Sequence, residues 1–117
     1  MLRLGHLQVV TIDLHGELDL STGEEIAARI NETLTSAGIT RIAIDLADVT
    51  FLDCHTIGVL LREQRIAAAH AVRLYVANVA NPLVRAVLDI TGATASLQPS
   101  TDAMRRWTLP RRRPVAA

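Results

Sequence analysis

The chain has 117 residues, half of them hydrophobic, which suffices for one domain with a continuous core and no metal or disulfide staples. Its single cysteine, Cys54, excludes an intrachain disulfide and a four-thiolate metal site, and points to a reducing compartment. The net charge of zero is a sum of opposites: residues 1–104 carry seven arginines against all twelve acidic residues, while residues 105–117 carry five arginines and no acid.

No apolar run approaches the length of a membrane span, and Met1-Leu2-Arg3-Leu4 lacks the apolar core of a signal peptide, so a cytoplasmic protein is expected. The Arg-rich end has the charge to grip phosphates. With one Phe, one Tyr and one Trp in the chain there is no stacking platform of the kind single-strand binders use, which argues against nucleic acid. The expected organisation is one domain over residues 1–104 and a disordered tail over residues 105–117.

In chain order, Leu2 to Leu4 and Leu7 to Leu14 alternate apolar and polar residues around Gly5-His6, which predicts an antiparallel hairpin with Val10, Ile12 and Leu14 on the core face. Gly16-Glu17-Leu18-Asp19-Leu20 leads into Ser21-Thr22-Gly23-Glu24, a capping-box pattern, after which Ile26, Ile30, Leu34 and Ala37 recur at helical spacing up to Gly38. Arg41 to Leu46 reads as a strand, and its place after a helix predicts a parallel crossover. A second helix is expected from Cys54 to Ala69 with Ile57, Leu60, Leu61 and Ala68 toward the sheet, then a strand over Val72 to Ala77. Asn81-Pro82 opens a third helix that Thr91-Gly92 closes. Ala93 to Leu97 is expected as a short edge strand, and Ser100 to Trp107 as a last brief helix. The sum is an α/β sandwich: a mixed β-sheet of four to five strands with about four helices mainly on one face.

The most informative stretch is Val49-Thr50-Phe51-Leu52-Asp53-Cys54-His55-Thr56-Ile57-Gly58-Val59-Leu60-Leu61, where a strand passes through a turn into a helix. Asp53 is placed to cap that helix, whose unpaired N–H groups and positive dipole end suit an acceptor or a regulated hydroxyl. This turn, with Ile42-Ala43-Ile44-Asp45-Leu46 and Gly16-Glu17-Leu18-Asp19 before it, resembles the STAS domain of bacterial anti-sigma factor antagonists. The resemblance covers roughly residues 1–104. It implies a STAS-type fold and a non-enzymatic role, in which the domain competes with a sigma factor for a kinase-type anti-sigma factor. In that family the Ser after the turn's Asp is phosphorylated by the partner; here that position is Cys54, and the family's next Gly is Thr56. Thr56 is the nearest hydroxyl that could replace the serine. The resemblance implies a partner-binding face of Asp19, Ser21, Thr22, Asp53, Cys54, His55, Thr56, Ile57 and Arg62.

Rival readings rest on single residues. A thiol in a helix's first turn is a physically possible nucleophile or redox sensor, but Cys54 and His55 are adjacent, and neighbours on a helix point apart. His6, His15, His55 and His70 show no ligand spacing, and Asp45, Asp48 and Asp53 read as solvated strand and turn carboxylates, so neither metal nor cofactor is expected. Nucleotide binding, which the resemblance allows, has no Gly-rich phosphate loop behind it. The remaining alternative is an adaptor in a larger regulatory assembly that uses the same face without a switch.

Overall fold

The computed structural model describes residues 8–97 and 111–114. The elements are β1 (Gln8–Leu18), α1 (Leu20–Leu34), β2 (Ile39–Leu52), α2 (Cys54–Ala69), β3 (Arg73–Ala77), α3 (Pro82–Ile90), α4 (Ala93–Leu97) and β4 (Arg111–Pro114). The sheet order is β3-β2-β1-β4, and every described pairing is parallel. The hairpin expected around Gly5-His6 and the helix expected over Ser100 to Trp107 lie outside the described residues.

Parallel neighbours cannot be joined by a tight turn, so each connection is a helix that crosses one face of the sheet. Val10, Ile12 and Leu14 of β1 and Ile42, Ile44 and Leu46 of β2 meet Ile26 and Ile30 of α1, Ile57 and Leu60 of α2, and Val84 and Leu88 of α3 in one apolar cluster. The α/β sandwich with helices on one face of the sheet is the architecture that the alternating pattern predicted. The other face is also covered: Val9 and Thr11 are buried, and Ala43, Tyr75 and Ala77 form a smaller cluster. A strand inside a parallel sheet is sealed on both sides, so the one-faced reading of β1 was too narrow.

Several local expectations are corrected. Ala93–Leu97 is a helix rather than a strand, and Ala93 and Leu97, one helical turn apart, are both buried. β2 is much longer than the segment from Arg41 to Leu46, because it stays paired with β1 as far as Leu52. Ala37 lies beyond α1 and is exposed, and Ala68 of α2 is exposed while Ala67 is buried. Asp45 is a buried bracket and not a solvated carboxylate: its Oδ1 accepts from the Ala47 N–H at 2.9 Å and its Oδ2 from the Asn78 side chain at 2.8 Å. Within the tail expected to be disordered, Arg111–Pro114 pairs with β1 as β4.

Tyr75 is the only tyrosine in the chain. Burial pushes its phenol up from the usual value near 10.0, and the charges of Arg41 and Arg73 pull it partly back. The folded protein therefore keeps this proton to higher pH than the unfolded chain does. The resulting stabilisation is fully present below the unfolded value and is lost as pH rises through the folded one. An absorbance titration at the phenolate band is expected to give a midpoint above 10.0 in the native state and a normal midpoint in denaturant.

Candidate functional site

The site begins with strand register. Leu18 of β1 pairs with Leu52 of β2, and the next residue of each chain segment, Asp19 and Asp53, caps a helix. The Asp53 N–H donates to the Leu18 carbonyl at 3.3 Å and ties the two turns together. Two adjacent parallel strands thus deliver two helix starts, with their positive dipole ends and two carboxylates, to one corner of the molecule.

At the first turn, the cap is Asp19 and not Ser21 as the capping-box pattern suggested. Asp19 Oδ1 accepts from the Ser21 N–H at 2.9 Å and from the Ser21 hydroxyl at 2.6 Å, and Thr22 Oγ1 accepts from the Asp19 N–H at 3.0 Å. The motif is still a capping box, shifted two residues toward the strand with Thr in the third helical position. The hydrogen bond from the Ser21 hydroxyl, followed by that from its N–H, holds the Asp19 carboxyl below its usual value of 3.8.

At the second turn, Asp53 Oδ1 accepts from the Thr56 N–H at 2.8 Å and from the Thr56 hydroxyl at 2.9 Å. Thr56 is 0% exposed and Ile57 is also buried. Neither is available for the partner-facing role expected of it, and the Thr56 hydroxyl lies inside the fold where a kinase active site does not reach. The cause is helical phase: Thr56, Val59, Leu60 and Glu63 form the inward face of α2.

Cys54 and His55 are exposed, and no hydrogen bond joins them among the described residues. His55 instead lies over Gly23 of α1: a Cβ at Gly23 would stand 3.0 Å from His55 Nε2 and 3.3 Å from Val59 Cγ2. Gly23 therefore sets how closely α1 and α2 approach at the corner. No group of three His, Cys, Asp or Glu residues that could hold a metal ion occurs among the described residues.

Cys54, Gly58 and Arg62 follow at intervals of four and are all exposed, so they share one face of α2. Arg62 stands two turns, about 12 Å, beyond Cys54, and its Nη2 lies 3.3 Å from the buried Glu63 carboxylate. Among the described residues nothing lies within 4 Å of where a Gly58 side chain would begin, so their packing does not require glycine there. The pattern reading passed over two apolar residues that the fold exposes at this corner: Leu20, 67% exposed, opens α1, and Phe51, 46% exposed, precedes the Leu52-Asp53 turn. An apolar residue in the first helical position, where no core contact is available, was the signal. Glu17, Glu24 and Glu25 are exposed around it.

The adjoining strand ends of this α/β domain thus build an exposed, acidic corner with two apolar side chains in it. Residues 5–99 match the family model described as Mlab, STAS domain, and the chain belongs to the STAS domain family. The anti-sigma F factor antagonist of Lysinibacillus sphaericus is 30% identical over 95 residues, covering 81% of this chain and 80% of that protein. The one from Paenibacillus polymyxa is 28% identical over 87 residues, covering 74% of each. Among solved structures, the anti-sigma factor antagonist SpoIIAA in its unphosphorylated form matches with a TM-score of 0.70 at 29% identity, covering 91% of this chain and 93% of that one. The phosphorylated form of SpoIIAA, a Bacillus cell fate determinant, matches with a TM-score of 0.61 at 28% identity, covering 91% and 96%. No helix among the described residues is long and apolar enough to cross a membrane.

Two measurements check the corner's wiring. Asp53→Ala removes a cap worth about 1 kcal/mol and strands a buried hydroxyl at a further cost of about 1–3 kcal/mol, so urea unfolding is expected to show a loss of roughly 2–4 kcal/mol. Asp53→Asn, which keeps an acceptor oxygen, is expected to recover most of it. Ser21→Ala is expected to raise the Asp19 carboxyl toward 3.8 in an NMR titration, since the largest cause of its lowering is gone. The small stabilisation from Asp19 is present above that value and is lost as pH falls through the folded one.

Proposed function

We propose that this protein is an anti-sigma factor antagonist that docks through the corner of Asp19, Ser21, Asp53, Cys54 and His55, with Leu20 and Phe51 as apolar contacts and Gly58 and Arg62 extending the face along α2. The role is binding, not catalysis, and the partner is a kinase-type anti-sigma factor. The single observation behind this reading is the exposed strip along α2 beside two exposed apolar residues, in a chain whose relatives carry the antagonist name. Gly58 costs the helix about 1 kcal/mol relative to Ala, and none of the described residues fills the space above it. A bare strip of helix backbone is useful to a partner that lies flat against it.

The relative SpoIIAA has both unphosphorylated and phosphorylated structures. In this chain the exposed first position of α2 is a thiol, which does not serve as an ordinary kinase hydroxyl, and the Thr56 hydroxyl is buried. Phosphate on the corner would add charge beside Asp53 and oppose docking. Without it, binding is constitutive, and output is set by how much antagonist is present.

Incubation with candidate anti-sigma kinases and ATP, followed by mass mapping, tests both parts. The wild type is expected to bind without gaining phosphate, and Cys54→Ser to bind equally and gain it at residue 54. Phosphate on wild-type Ser21 would move the switch to α1, and failure to bind any anti-sigma factor would leave the unswitched adaptor role. Gly58→Ala is expected to raise stability by about 1 kcal/mol while weakening partner binding at least tenfold by calorimetry. A variant that gains stability and loses nothing in binding would place the interface elsewhere.

A further inference from the structure

Position 63 of α2 lies on the face turned to the core, in phase with Thr56, Val59 and Leu60, yet the residue there is a glutamate. We infer that Glu63 is a positioning residue: from inside the fold it fixes the Arg62 guanidinium on the exposed strip of α2, as a ready donor to a carboxylate of the docked partner. This role rests on the docking reading given above, to which it adds the chemistry at the far end of the strip.

The Glu63 side chain is 1% exposed and the Arg62 side chain 54%. Glu63 Oε2 accepts from Arg62 Nε at 3.4 Å and from Arg62 Nη2 at 3.3 Å, while Oε1 is buried with no hydrogen-bond partner among the described residues. The pair therefore joins a carboxylate inside the fold to a guanidinium at its surface. A carboxylate drawn out of water with one oxygen unmatched costs the fold stability, whereas an apolar side chain of similar volume carries no such cost. Packing alone gives no reason for an acid at this position, and its one polar partner among the described residues lies outward.

Arg62 itself stands on the strip with Cys54 and Gly58. A free arginine gives up rotamer freedom when a partner immobilises it, and one tethered in advance has given up part of that freedom on folding. Of its five guanidinium N–H groups, two are directed at Glu63 Oε2 and three remain. The unspent edge, Nη1 with Nη2, is a two-pronged donor of the shape that a carboxylate matches. Gly58, one turn earlier, leaves the helix bare beside it among the described residues, so a partner's backbone can come close. The expected contact is an Asp or Glu side chain of the partner, about two helical turns along α2 from the acidic corner.

The test has one arm without a partner and one with it. In nitrogen-15 relaxation of the arginine Nε–H groups of the full chain, Arg62 is expected to be ordered and Arg65, exposed on the same helix, to be mobile. Glu63→Leu, which removes the acceptor, is expected to release Arg62 to the mobility of Arg65 with urea stability equal or higher; the isosteric Glu63→Gln covers the case that leucine does not fit. Against the anti-sigma kinase that binds the wild type, calorimetry is expected to show both variants weakened about three- to tenfold and Arg62→Ala weakened further. In the Arg62→Ala background Glu63→Gln is expected to cost nothing more, because the two act as a unit. Arg62 as mobile as Arg65 in the wild type, or losses that add, would overturn the positioning role and leave docking standing. Failure of the wild type to bind any anti-sigma factor would overturn both.

Discussion

The parallel register between β1 and β2 is the constraint on which the rest depends. Pairing Leu18 with Leu52 ends two neighbouring strands at the same level, and the hydrogen bond from Asp53 to the Leu18 carbonyl fixes one turn against the other. Each strand then passes at once into a helix, because parallel neighbours require a crossover. Since a slip of one residue would turn every side chain of a strand to the other face, the buried Ile12, Leu14, Ile44 and Leu46 hold that register by their packing. The corner thus sits directly on the packed core, though its outer atoms belong to loops and first helical turns.

Within the corner, support and display are divided by helical phase. Asp53 spends one carboxylate oxygen on the backbone and hydroxyl of Thr56, and Gly23 lets His55 and Val59 close over α1. Those contacts leave Cys54, His55, Gly58 and Arg62 outside. On the display side the one thiol has no hydrogen-bonded base among the described residues, and two exposed apolar side chains and exposed acidic residues lie beside it.

The long strand β2 has different surroundings at its two ends. Its C-terminal end feeds the acidic corner, where both helix starts favour negative charge. Its N-terminal end meets β3 and the end of α2, where Arg41, Arg65 and Arg73 line a cavity.

Much of this was legible in the sequence because local signals are strong where side chain and backbone interact directly. Asp53 and Asn81 as caps, Pro82 in the first helical turn, the inward Ile26 and Ile30, and the whole of α2 follow from hydrogen-bonding capacity and spacing alone. The family pattern at Gly16 to Asp19 and Phe51 to Leu61 also falls on two turns that the fold ties together. What the sequence could not decide were matters of distance between segments. Asp19 took the cap from Ser21 because β1 ends one residue earlier; the short segment Ala93–Leu97 became a helix because Ala93 and Leu97 both find the core. Thr56 and Ile57 lost their expected place on the surface once α2 settled its inward face on the sheet. The Arg41–Arg73 pair exists only through strand register. Local composition determines which conformation a segment prefers, whereas exposure and proximity are set by how segments pack, and a linear pattern contains that information only weakly.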